Sequence, residues 1–137
     1  MKNYRILLLI TLMSGFYLTA QNKDTKKADK QFAQYEFVKA IESYNKLVDK
    51  GEADAYVYAQ LAESYYNIFN TEAAERWYAK ALETSDKPEM VYKYSQMLKA
   101  NGKYEASNAQ MERFASMRPS DHRAAAFRKT LITFLKY

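Results

Sequence analysis

The chain repeats itself at a spacing of 34 residues. Ala40, Tyr44, Lys46 and Leu47 are matched by Ala74, Tyr78, Lys80 and Ala81. A third set, Ser107, Met111, Arg113 and Phe114, follows at 33. Ala28, Ala62 and Ser95 stand twelve residues before Ala40, Ala74 and Ser107. A period in this range marks a solenoid, in which each unit buries its apolar face only against its neighbours. Two matched segments per period make the unit a helix pair. Small residues at both marked positions let the paired backbones cross closely. Tyr44, Tyr78 and Met111 lie one turn further on the same face and are placed to wedge into the adjoining pair.

Break signals fall between these segments. Lys50-Gly51 follows the first unit, and Asn101-Gly102 separates the two helices of the third. Asp86-Lys87-Pro88-Glu89 opens the third with a cap-like acid and an early proline, and Pro119-Ser120-Asp121 closes it. Three glycines, two prolines and many alanines and tyrosines predict an all-α chain with little room for hairpins.

The pattern resembles that of the tetratricopeptide repeat family, whose motif runs aromatic, Leu, Gly or Ala, Tyr, then Ala, aromatic, Ala and finally Pro. The second unit carries Tyr58, Leu61, Ala62, Tyr65, Ala74, Tyr78 and Ala81. The third carries Tyr94, Ser95, Gly102, Tyr104, Ser107, Phe114 and Pro119. In the first, Ala28, Phe37, Ala40, Tyr44 and Leu47 fit, but Asp24 and Lys27 replace an aromatic and a Leu, which predicts a short or frayed opening helix. The resemblance implies a right-handed superhelical solenoid of about three pairs, in units of about 21–54, 55–87 and 88–120. A terminal helix over 121–137 completes it. The motif residues, Gly102, Tyr104 and Pro119 included, are expected to pack the repeats.

Residues 1–20 have the layout of a secretory signal. Lys2 and Arg5 precede an apolar run from Ile6 to Leu18, with a cleavage point after Ala20. The run is shorter than the ~20 residues of a membrane span, and no cysteine near the junction supports a lipid anchor. The expectation is export to the periplasm or the periplasmic face of the outer membrane. Removing the segment takes the basic count from 21 to 19 against 16 acids, a net +3. Those charges are interleaved and give no basic face for nucleic acid. With no cysteine in the chain, neither disulfides nor thiolate metal sites are available.

Chemistry is poorly represented. His122 is the only histidine, with no second ligand type beside it. No phosphate loop, nucleophile elbow, HExxH or calcium loop occurs. Glu72, Glu75 and Glu83 are spaced to pair with Arg76 or Lys80 on a wet helix surface. The reading is a binding protein without catalytic, cofactor or metal sites. An envelope enzyme subunit active only with a partner is the remaining enzymatic alternative, and no residue supports it.

In the resembled family the first helix of each pair lines a concave groove. Here that face would present Phe32, Tyr56, Ala59, Glu63, Tyr66, Asn67, Tyr92, Gln96 and Lys99. Tyr56, Tyr66 and Tyr92 are surplus to the motif. Tyrosine joins a large apolar face to a polar tip, which suits protein-binding surfaces; equally, these rings can simply cover neighbouring helices. Some members clamp a C-terminal carboxylate with Lys and Asn. The corresponding positions here are Thr25, Asp29, Glu63, Tyr92 and Gln96, which disfavours that ligand. A mixed aromatic and acidic groove points instead to a segment of some basic character.

In the last helix Ala124, Phe127, Leu131, Phe134 and Leu135 form one apolar stripe, with Ile132 off it. So apolar an end predicts a further cover over Leu131 to Leu135, either a downstream domain or a second copy of the protein. The overall layout is similar to the N-terminal repeat region of exported envelope proteins with an OmpA-like domain, some tied to type IX secretion. This implies a scaffold for an envelope or secretion-complex protein. A self-associating structural protein is the alternative.

Overall fold

The computed structural model describes residues 25–134; the signal-like segment and the last three residues lie outside them. Seven α-helices follow one another: α1 Lys26–Ala33, α2 Phe37–Asp49, α3 Ala55–Asn67, α4 Thr71–Leu82, α5 Pro88–Ala100, α6 Tyr104–Met117 and α7 His122–Phe134. Each packs chiefly against the next in sequence, the arrangement of a solenoid. The opening helix α1 has eight residues where the others have 12 to 14.

The helix ends follow from local chemistry. Asp54 accepts a hydrogen bond from the Val57 amide at 3.0 Å, and Asn70 accepts one from Ala73 at 3.1 Å. Both satisfy amides that a first turn leaves without partners. Pro88 occupies the first position of α5, where its missing N–H costs nothing. Asp86 does not cap that helix as its position suggested; Lys87 stands at the cap, and Asp86 is held by the Arg113 guanidinium. At the other ends, α1, α2, α3 and α5 close on one pattern. A left-handed residue, Tyr35, Gly51, Phe69 or Gly102, is followed by an amide that bonds back five residues, from Glu36 to Gln31, Glu52 to Leu47, Asn70 to Tyr65 and Lys103 to Leu98. Gly102 serves this turn. A Cβ there would meet nothing within 4 Å, so its φ of +77°, and not close packing, favours glycine.

The small positions sit where the pairs cross. Ala28, Ala40, Ala62, Ala74, Ser95 and Ser107 are all buried. In the third pair the serine hydroxyls are satisfied internally: Ser107 donates to the Ser95 carbonyl at 2.8 Å, and Ser95 to that of Tyr92 at 2.6 Å. Three cores lie along the axis, and each draws on the next unit's first helix. Val57 and Leu61 complete the first around Tyr44, Met90 and Met97 the second around Tyr78, and Ala124 the third around Phe114. Ala81 is fully buried, Tyr65 joins the first two cores, and Tyr94 packs on the second. Tyr58 stacks on Trp77 with centroids 5.7 Å apart.

Two motif residues do not pack. Tyr104 is 64% exposed because it is the first residue of α6, where a side chain leans back over the turn and not into a neighbouring helix. Pro119 is exposed in the α6–α7 connection, where it ends one helix without entering a core. Glu75 departs from its solvated reading in the other sense. It is buried and holds Asn101 at 2.7 Å and Lys103 at 2.6 Å, tying α4 to the α5–α6 turn. Glu83 does pair with Lys80, loosely at 3.8 Å on the surface.

Two predictions follow from this packing. Ala74→Leu or Ala40→Leu would overpack a crossing with no free space and is expected to cost ~1–3 kcal/mol, read as a lowered urea midpoint at unchanged slope. The second concerns acid. Burial alone would raise Glu75, but Asn101 and Lys103 outweigh it and hold the carboxyl below its ordinary range. Arg123 lowers Glu89 and holds Asp121 at about 2. Depressed carboxyls stabilise the fold above their unfolded pKa and lose that contribution as they protonate, so stability should fall from about pH 5 towards 2. A pH series of urea melts should show a shallower acid slope for Glu75→Gln, at lower stability near neutral pH.

Candidate functional site

The odd-numbered helices form one face and are stitched by polar side chains. Tyr56 of α3 donates to Asp29 of α1 at 2.8 Å. Lys93 of α5 grips both Glu63 oxygens of α3 at 2.7 Å. Arg123 of α7 makes a bidentate pair with Glu89 of α5, both bonds 2.9 Å, while also bonding Asp121. These contacts set the odd helices side by side and in parallel.

Beneath them runs a second repeating contact. Tyr44 donates to Asp29 at 2.6 Å, and Tyr78 donates to Glu63 at 2.8 Å. In each case an acid on the first helix of a pair receives a phenol fifteen residues later on the second. Burial, with the carboxylate partner adding to it, raises both phenol pKa values well above the ordinary range. The two groove acids are thereby committed: Asp29 to two tyrosines, Glu63 to a tyrosine and a lysine. Lys93 pairs the Glu63 charge, while Asp29, bonded by neutral phenols, keeps its own, so the groove is less acidic than its sequence suggested.

The third pair breaks the pattern. Gln96 and Met111 stand at the acid and tyrosine positions, and only a 3.8 Å amide-to-sulfur contact joins them. A longer, weaker contact leaves space. A cleft of about 380 Å³ opens there between α5, α6 and α7. Tyr92, Met111, Phe127 and Leu131 give it apolar walls beside Gln96, with Lys99 and Tyr104 nearer solvent. None of its lining residues is acidic. Lys99 is exposed and makes no ion pair among the described residues.

The other groove residues divide by exposure. Tyr56 and Tyr66 are 45% and 43% exposed. Gln60 donates to the Tyr56 oxygen at 3.2 Å, and the Lys93 ammonium lies 5.8 Å from the Tyr66 ring. Asn67 is exposed and bonds the Glu63 carbonyl. Phe32 is turned inward, its ring edge-on to Phe37 at 5.3 Å and packed on the first core, and Ala59 packs on the second. Tyr92 is half-buried, 5.2 Å from Phe114, with the Arg123 guanidinium 4.2 Å above its ring. Its removal should therefore disturb packing as well as any ligand. Thr25 is buried, and the clamp positions Asp29 and Glu63 carry acids where a bound carboxylate needs donors.

Sequence reasoning missed Arg123 and the cleft itself, and assigned Tyr104 to repeat packing where it borders the cleft. Arg123 follows Glu89 by 34 residues, one period, which was the available signal. Phe127 and Leu131 were recognised as an apolar stripe, but they wall the cleft as much as they dock the helix. Ile132 is 57% exposed; the Phe134 side chain and Leu135 lie outside the described residues.

No family model matches the chain, and no curated protein does. Solved structures do. The first repeat domain of Spaghetti (RPAP3), bound to the HSP90 peptide SRMEEVD, aligns with a TM-score of 0.69 at 19% identity over 85% of this chain and 94% of that one. The chaperone PcrH, in complex with the chaperone-binding region of PopB, aligns at 0.65 and 12% identity over 80% and 93%. The C-terminal part of a repeat-containing protein from Cytophaga hutchinsonii aligns at 0.61 and 22% over 69% of this chain, which spans 40% of it. At these identities the likeness is one of fold: the described residues form an all-α solenoid of the tetratricopeptide-repeat fold, with three helix pairs and a further helix.

Proposed function

We propose that this protein is an exported interaction scaffold that captures a segment of another protein in its concave groove, working in the assembly of a cell-envelope or secretion complex. The open α5/α6/α7 cleft carries the reading. A volume of about 380 Å³ with apolar walls and a polar mouth suits one bulky apolar side chain, held against backbone on the groove floor. Solved neighbours of this fold hold an HSP90 peptide and the chaperone-binding region of PopB. The signal-like start supports export, and the layout it shares with envelope repeat proteins supports the setting.

The charge pattern refines the ligand. With Asp29 and Glu63 internally engaged and Lys99 unpaired at the cleft mouth, an acidic residue beside the apolar anchor is favoured over a basic one. Tyr56 and Tyr66 extend the surface along α3. Self-association through the terminal helix is the second reading, favoured by the exposed Ile132.

The test is peptide binding by fluorescence anisotropy with residues 21–137. Peptides carrying Leu or Phe beside Asp or Glu should bind more tightly than the same anchors beside Lys, and the preference should weaken with salt. Lys99→Glu, at an exposed position, should cost the acidic peptides about 1.4 kcal/mol, roughly tenfold in affinity, without changing the melt. Equal binding of both peptide classes would remove the charge refinement. No binding of either, with a mass that rises with concentration, would favour self-association.

A further inference from the structure

In the first two pairs an acceptor on the first helix receives a phenol from the second: Tyr44 donates to Asp29, and Tyr78 to Glu63. Gln96 and Met111 hold the same separation in the third pair. Glutamine still carries an acceptor oxygen, but methionine has no proton to give it. The chemistry of the cleft therefore turns on which way the Gln96 amide faces.

Its neighbours decide that orientation. The buried Ser95 hydroxyl donates its one proton to the Tyr92 carbonyl at 2.6 Å. Ser95 Oγ can then only accept from Gln96, so the amide presents Nε2 to it, at 3.2 Å. The same Nε2 lies 3.8 Å from the Met111 sulfur, also an acceptor. Both contacts turn the NH2 end inward and leave the carbonyl end facing away. Gln96 Oε1 accepts no hydrogen bond from the described residues and is not enclosed by them. The open space that Gln96 borders is the α5/α6/α7 cleft.

We propose that this cleft takes a tyrosine side chain of the bound segment, whose phenol donates to Gln96 Oε1 as Tyr44 and Tyr78 donate to Asp29 and Glu63. The inference rests on the reading of the cleft as a peptide site and names the anchor. Tyr92 and Phe127 offer ring surfaces to an aromatic guest, and the Met111 sulfur makes a favourable neighbour for a ring edge. Phenylalanine would fill the same space but cover the Gln96 oxygen without a donor, and a desolvated acceptor left unpaired is penalised. Leucine has the same defect and less surface. Lys99 and Tyr104, at the mouth, remain free for the residue beside the anchor. Gln96 is thus the residue that determines specificity within an otherwise apolar enclosure.

The experiment is fluorescence anisotropy with residues 21–137, whose three cores come wholly from the described helices. The peptides carry an acid beside the anchor and are identical except for Tyr, Phe or Leu at the anchor itself. The parent should bind the Tyr peptide about tenfold more tightly than the Phe peptide. Gln96→Met, close to conserving volume, should bind both with the parent's affinity for Phe. Gln96→Glu keeps an acceptor, as Glu63 has, and should keep the preference for Tyr over Phe. Met111→Tyr supplies the phenol from within the chain and should bind neither peptide while melting no lower than the parent. Equal affinity for Tyr and Phe in the parent overturns the proposal, and so does a Tyr preference that survives Gln96→Met. Binding of all three peptides without preference overturns the anchor alone and leaves the groove reading standing, whereas binding of none overturns both.

Discussion

Everything in this molecule depends on two helices crossing at a point where neither has a large side chain. Ala28 on Ala40, Ala62 on Ala74 and Ser95 on Ser107 remove the bulk that would hold backbones apart. Only at that separation can Tyr44, Tyr78 and Met111 reach past the crossing into the next unit. A residue larger by a few methylenes has nowhere to go, because interiors are packed at crystal-like density. The serine pair shows how strict the requirement is: polar atoms are accepted there, provided each finds an acceptor.

The same repetition that stacks the units also decides where a ligand can enter. Asp29 with Tyr44, and Glu63 with Tyr78, fill the groove floor of the first two pairs, and Lys93 pairs the Glu63 charge. Removal of either acid would leave a buried phenol unsatisfied, so these contacts act as fixed structure. At the third pair the substitution of Gln96 and Met111 ends the series. The cleft appears at the place where the repeat stops repeating, and α7 closes its far side through Arg123.

Groove and turns both carry aromatics at the surface. Exposed Tyr56 and Tyr66 lie on α3, Tyr35 and Phe69 stand at turns along one edge, and Tyr104 borders both that edge and the cleft. The edge is a consequence of antiparallel pairing, which sends every within-pair turn to the same side.

Taken alone, the sequence determined the fold class and the small and aromatic residues around which the cores form, since periodicity at 34 and 33 residues and the placement of such side chains are properties of a one-dimensional string. It could also mark the glycine turns. It could not determine the electrostatics of the groove. Asp29 and Glu63 read as free acids until tertiary structure brought tyrosines and a lysine onto them from residues 15 to 30 positions away. Nor could it expose Tyr104 or draw Tyr92 beneath Arg123. Burial of a repeated apolar face is encoded locally and so is legible, whereas the charge a ligand meets is a sum over partners that only the folded chain brings together.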